Sequence, residues 1–175
     1  CVFEATTNFL KKVRISGGGR CNVTHHLFDI KDFSLNYPRG QKELLSPFQK
    51  FQATDTIKWF KDRGVNLKHE SDGRMFPVTD SSQTIIDCFL GSASDSEIAL
   101  RSRTGVNSVR IIDSNHFELS LATGQSEEFD RLIIASGGGK SASSDAIATS
   151  LGHTNTQLVP SLFTFHIRDE RLDGL

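Results

Sequence analysis

Glu4 closes the short apolar run Cys1-Val2-Phe3. An acidic side chain at the end of a strand can accept hydrogen bonds from ribose hydroxyls, and it can equally be a solvated strand end. A second group of residues is Ser16-Gly17-Gly18-Gly19-Arg20-Cys21-Asn22. Its glycines carry no Cβ to hold a ligand away from the backbone, and they tolerate positive φ. Such a loop can aim successive amides at an anion. Arg20 adds a charge suited to phosphate, and Asn22 offers both a donor and an acceptor. The plain alternative is a flexible turn beside a chance arginine. It is not a Walker A loop, because no Gly-Lys-Ser/Thr follows at the required spacing. The third group is Leu132-Ile133-Ile134-Ala135-Ser136-Gly137-Gly138. A strand ending in small residues lets a bulky ligand lie against its carboxyl end, where α/β sheets bind. An ordinary strand-to-helix turn has the same composition.

Other reactive side chains read as structural. Cys21 neighbours Arg20, which favours a thiolate, yet a small packing residue explains it as well. His25, His26 and His153 lack the cysteine or carboxylate company of a metal site. Arg74 reads as an ion-pair or loop anchor. No catalytic triad and no paired-carboxylate signature is present.

The elements that must position these residues follow from periodicity and punctuation. Cys1-Val2-Phe3 reads as the end of a buried strand, and Lys12-Val13-Arg14-Ile15 as a strand-like segment feeding the glycine loop. Phe28, Phe33, Phe48, Phe51 and Phe60 read as the apolar sides of short helices. Thr54 or Asp55 caps a helix carrying Ile57 and Phe60 and stopped by Gly64. Residues 65–70 alternate as a strand, Ser71-Asp72-Gly73 turns, and a helix spans about 82–90. Strands are then expected at 98–100, 109–112, 117–121 and 132–135, followed by a short helix ending at Leu151-Gly152-His153. Strands alternating with helices indicate an α/β fold with a mainly parallel sheet, and the pair near 109–121 a small antiparallel insert.

Bulk composition narrows the classes. The chain has 175 residues, 37% hydrophobic and 23% charged, which is globular composition. Its net charge of −1 gives no footprint for nucleic acid or an anionic membrane surface. No apolar run approaches the roughly 18–20 residues that span a bilayer. Three cysteines cannot form a full disulfide framework, so a cytoplasmic setting is expected.

These motifs together resemble the BaiN/RdsA-like family of NAD(P)/FAD-dependent oxidoreductases, the aminoacetone-oxidase-like flavoproteins. The resemblance covers nearly the whole chain. Ile15-Ser16-Gly17-Gly18-Gly19-Arg20-Cys21-Asn22-Val23-Thr24 looks like the family's signature loop. Glu70-Ser71-Asp72-Gly73-Arg74-Met75-Phe76-Pro77 is similar to its Glu-x-x-Gly-Arg-x-Phe-Pro segment, and Ala135 to Gly139 to its Ala-Thr-Gly-Gly turn, with Ser136 in place of Thr. The resemblance implies a Rossmann-like FAD-binding domain over residues 1–159, truncated before its first strand and glycine turn. A second, largely β domain would begin at 160–175. It implies that Glu4 holds the adenosine ribose, that Lys12 and the loop Ser16, Gly17, Gly18, Gly19, Arg20, Cys21 and Asn22 lie along FAD, and that the strand before Val106 reaches the adenine. Ala135, Ser136, Gly137 and Gly138 would pack beside the cofactor. It further implies NAD(P)H as electron donor and a small-molecule substrate, with no nucleic acid and no membrane partner. Two other readings stay open: a nucleotide- or phosphate-binding module without redox chemistry, and an inactive partial domain. Lacking its first glycine turn, the fragment alone is expected to bind FAD weakly or not at all.

Overall fold

The structure, a computed structural model, describes residues 1–113, 116–137 and 142–156. It divides into two compact units, one of residues Cys1–Gly105 and one beginning at Val106.

The first unit opens with β1 (Val2–Phe3) and α1 (Lys11–Ile15), followed by a tight turn over Ser16–Gly19 and β2 (Thr24–His25). Three helices come next: α2 (Ile30–Ser34), α3 (Gln41–Lys50) and α4 (Ala53–Lys61). Then β3 (Leu67–His69), β4 (Arg74–Pro77), α5 (Ser82–Asp95) and β5 (Leu100–Arg101) complete it. β1 pairs with β5 in parallel, Val2 opposite Leu100, while β2, β4 and β3 form an antiparallel sheet in that order. Local chemistry fixes the helix ends. Asp29 Oδ1 accepts from the amides of Lys31 and Asp32, and Ser81 Oγ from that of Gln83, satisfying first-turn donors. Thr54 and Asp55 lie inside α4 rather than before it, and Asp55 caps from within by accepting the Gln52 amide at 2.8 Å. Gly64, at φ 78°, ends that helix as the sequence indicates. The core gathers Cys21, Phe60, Val65 and Ile85, with Val13, Val23, Trp59, Leu67 and Cys88 around them.

The second unit is a three-stranded antiparallel meander of β6 (Val106–Asp113), β7 (His116–Leu121) and β8 (Ser126–Phe129), followed by α6 (Ala142–Ser150). Val109, Leu119 and Leu121 are its buried face. β8 is a strand that the sequence hides, because Ser-Glu-Glu-Phe has no apolar alternation. Glu118 sits opposite Glu128 across β7 and β8, and Arg110 on the other neighbour donates two bonds to Glu118, offsetting that repulsion.

Four sequence expectations change. The sheet content is not mainly parallel: among the described residues β1 and β5 are the one parallel pair. Lys12–Ile15 belongs to a helical turn, with the Arg14 amide donating to Leu10 O, because only Val13 reaches the core while Ile15 is 76% exposed. Leu132–Ala135 joins no ladder among the described residues, and Ile133 is 87% exposed. Strand propensity is realised only when a neighbouring edge supplies hydrogen bonds. Phe28 and Phe51 lie outside the helices and are exposed, whereas Phe60 is buried and Phe33 packs against Tyr37 and Phe48. Residues 160–175 and the turn at Ser114–Asn115 fall outside the described residues.

His116 carries the clearest pH signature. Its Nδ1 bonds the Asp113 carboxylate at 2.9 Å, and Nε2 lies 3.5 Å from Asp130. The Asp113 hydrogen bond, then the charges of Asp113, Asp130 and Glu128, raise its pKa above 6.5. The folded state therefore holds this proton more tightly than the unfolded chain. The stabilisation is complete below pH 6.5 and is lost as pH rises through the folded value. His116→Asn should abolish that part of the pH dependence in denaturation curves run from pH 5 to about 9. An NMR titration placing His116 at or below its ordinary pKa would refute the assignment.

Candidate functional site

Glu4 stands at the carboxyl end of β1, the edge at which parallel sheets present ligand-binding groups. Its amide donates to Arg101 O, its carbonyl accepts from Thr104, and its Oε1 accepts from the Thr6 amide at 2.7 Å. Those Thr6 bonds, and more weakly Lys11, hold its carboxyl below the ordinary value despite a small opposing burial effect. The group is an anion throughout the neutral range. The chain beyond Glu4 borders an open cleft of about 360 Å³ lined by Thr7, Asn8, Phe9, Arg14, Gln83 and Ile86. Arg14 is fixed there by donating to Gln83 Oε1 at 2.8 Å.

The glycine loop has an unusual backbone. Gly17, Gly18 and Gly19 take φ of 56°, 66° and 84°, and Cys21 follows at 62°. The three glycines meet different surroundings. A Cβ on Gly17 would lie 2.8 Å from Asn22 N and 3.0 Å from Phe76 Cε1, whereas one on Gly18 would meet nothing within 4 Å. Gly17 is thus the inner, packed side of the loop and Gly18 its bare outer side. The amides of Arg20 and Cys21 already donate to Gly17 O and Ser16 O. Ser16 Oγ is likewise engaged, donating to Val13 O at 2.8 Å. Cys21 is 6% exposed within the core, so it acts as a small packing residue.

Glu70–Pro77 turns out to be the loop's counterpart. Asn22 Oδ1 accepts from the Met75 amide at 3.2 Å, and Val23 N donates to Met75 O at 2.8 Å. Arg20 Nη1 donates to Glu70 Oε1 at 2.5 Å, with Asp80 at 3.7 Å, and its guanidinium lies 4.0 Å over the Phe76 ring. Glu70 above all raises the Arg20 pKa. Arg74 bonds Asp72 at 2.6 Å and approaches Glu70 at 3.4 Å, so it is the ion-pair anchor read from the sequence. Gly73 is obligatory, since a Cβ there would fall 2.3 Å from the His25 ring, whose Nε2 lies 3.0 Å from Asp72 O. Sequence reasoning found this segment only as a likeness; the chemical signal was the string of charges flanking Phe76.

Glu4, Lys12 and residues 16–22 all belong to the first unit, with Lys12 exposed on α1. Val106 and Ala135–Gly137 belong to the second. Val106 begins β6 opposite Leu121. Ala135, Ser136 and Gly137, the last at φ 77°, border an open cleft of about 520 Å³ with Asp145, Ala148 and Asn155. Gly138 lies outside the described residues.

The family model of the HI0933-like protein Rossmann domain matches residues 1–158. Among curated proteins, a 3-dehydro-bile acid delta(4,6)-reductase of Clostridium scindens is 26% identical over 173 residues, covering 95% of this chain and 41% of that protein. A ribosomal RNA dihydrouridine synthase of Escherichia coli is 30% identical over 166 residues, covering 89% of this chain and 40% of that protein. The chain therefore spans about two fifths of the length of these relatives.

The unequal glycines give a direct test. Gly18→Ala should cost only the left-handed backbone, about 1–2 kcal/mol. Gly17→Ala adds a collision with backbone and should cost at least about 1 kcal/mol more. Urea denaturation of both variants reads the order, and equal losses would show that Gly17 is not the packed position.

Proposed function

The chain belongs to the HI0933-like Rossmann-domain family of flavin-dependent oxidoreductases, and from that premise we propose that it carries the FAD-binding part of an enzyme reducing a small organic substrate. The bare outer side of the glycine turn carries this reading: at Gly18 nothing stands within 4 Å of where a side chain would begin. A planar cofactor can approach backbone there, and the open space at Gly40, Gly64, Gly124 and Gly152 accompanies no such run of three left-handed glycines. Bound FAD supplies the electron transfer, and the protein supplies position, charge and exclusion of water. Glu4, ionised and at a strand's carboxyl end, holds the adenosine ribose. Lys12 and Ser16–Asn22 run along the cofactor, Val106 brings backbone to the adenine, and Ala135–Gly138 pack near it. NADH or NADPH is the electron donor. One relative is by name a reductase and the other a ribosomal RNA dihydrouridine synthase, and both names favour reduction as the direction. The FAD domain runs over residues 1–159 and a second domain begins at 160. No helix among the described residues is long and apolar enough to cross a membrane; we assign the cytoplasm as the compartment on cysteine usage alone.

The full-length protein should purify with the yellow absorbance of oxidised flavin, which a nicotinamide cofactor bleaches anaerobically. Glu4→Gln removes a charge-assisted acceptor and should weaken FAD binding by about 1.5–3 kcal/mol, roughly 10- to 150-fold in Kd. Because the Glu4 pKa is already depressed, wild-type affinity should hold from neutral pH downward and fall only below about the ordinary carboxylate value. A colourless protein that takes up no flavin would refute the proposal. Flavin that neither NADH nor NADPH reduces would remove the assigned donor.

A further inference from the structure

We infer that Glu70 is a positioning residue for the glycine loop, acting through Arg20, and that Arg20 serves the site chiefly as the loop's fastening. The inference deepens the flavin reading above and names a function for the Glu70–Pro77 segment. Glycine has no preference between left- and right-handed backbone, so three successive glycines at positive φ need restraint from outside the loop. The structure shows three restraints. Phe76, fully buried, blocks Gly17 from one side. The Asn22 and Val23 bonds to Met75 tie down the loop's exit. Between them the Arg20 guanidinium sits 4.0 Å from the Phe76 ring centroid and is held by Glu70 at 2.5 Å, with only 33% and 31% of the two side chains exposed. Glu70 is itself oriented from behind by Arg74, which Asp72 fixes. Lys68 pairs with Asp80 on the remaining side. Arg20 is thus enclosed by acidic groups and an aromatic face, an arrangement suited to fixing its own backbone. Glu70 and Asp80 both face Nη1, so that nitrogen is committed to the loop's own fastening.

The two roles predict opposite signs. If Glu70 positions the loop, Glu70→Gln weakens flavin binding, by about tenfold. If Glu70 merely occupies a phosphate-binding arginine, the same change frees Arg20 and leaves binding equal or tighter. The experiment uses the full-length protein, with flavin Kd from fluorescence titration and, in the flavin-free form, hydrogen exchange of the peptide containing Gly17–Gly19. Glu70→Gln should speed loop exchange about tenfold while α5 stays protected, and an Arg20→Met/Glu70→Gln double variant should bind flavin no worse than Arg20→Met alone. Arg20→Lys keeps the charge but loses the planar guanidinium over Phe76, and should fall between wild type and Glu70→Gln. Unchanged loop exchange, unchanged or tighter flavin binding in Glu70→Gln, or additive losses in the double variant would each overturn the inference. The exchange arm needs no ligand, so failure of the wild type to bind flavin sinks the functional proposal and leaves this one to be judged separately.

Discussion

The contact between Gly17 and Phe76 is the constraint around which the first unit is organised. Phe76 is completely shielded from solvent, and a methyl group on Gly17 would lie 3.0 Å from its ring edge and 2.8 Å from the Asn22 amide nitrogen. That closeness brings β4 against the glycine turn, and with it Asn22 against Met75 and Arg20 over the aromatic face. Beside the ring the three glycines run left-handed, and Cys21 lies in the core with Phe60, Val65 and Ile85. Packing on one side of the turn and openness on the other are two consequences of one contact.

Charge is arranged around this contact rather than spread evenly. Arg20, Lys68 and Arg74 alternate with Glu70, Asp72 and Asp80, giving a chain of partly desolvated pairs. Exposed pairs contribute little each, typically below about 1 kcal/mol, so their value lies in direction more than in stability. The planar guanidinium of Arg20 can stack and bond at once, which a lysine cannot do. This geometry ties a conformationally permissive loop to a rigid antiparallel sheet. Glu4 has no comparable network; two Thr6 bonds suffice to keep it charged and turned toward its own turn.

Much of the local structure could be read directly. Gly64 and Gly73 punctuate where expected, α5 begins at Ser82 as read, and Ser71-Asp72-Gly73 turns, with the Gly73 amide donating to Glu70 O. The glycine loop was legible as a loop with positive φ. Its division into a packed Gly17 and an open Gly18 was not, because identical residues differ only by what the folded loop and the distant Phe76 place against them. Nor was Arg20's partner: Glu70 lies 50 positions away in sequence. Strands failed in both directions. Ser126–Phe129 is polar and yet pairs with β7, whereas Leu132–Ala135 is apolar and pairs with nothing among the described residues.

The sequence by itself therefore determined turns, helix stops and the permissive glycine backbone, which depend on a residue's own φ preferences or on hydrogen bonds reaching three or four positions along the chain, and its motifs determined the family. Tertiary structure alone decided which apolar segments became strands, which glycine was sterically indispensable and which acid received Arg20. Sheet bonds, van der Waals exclusion and ion pairs require a second surface, and the chain brings that surface up only when it folds.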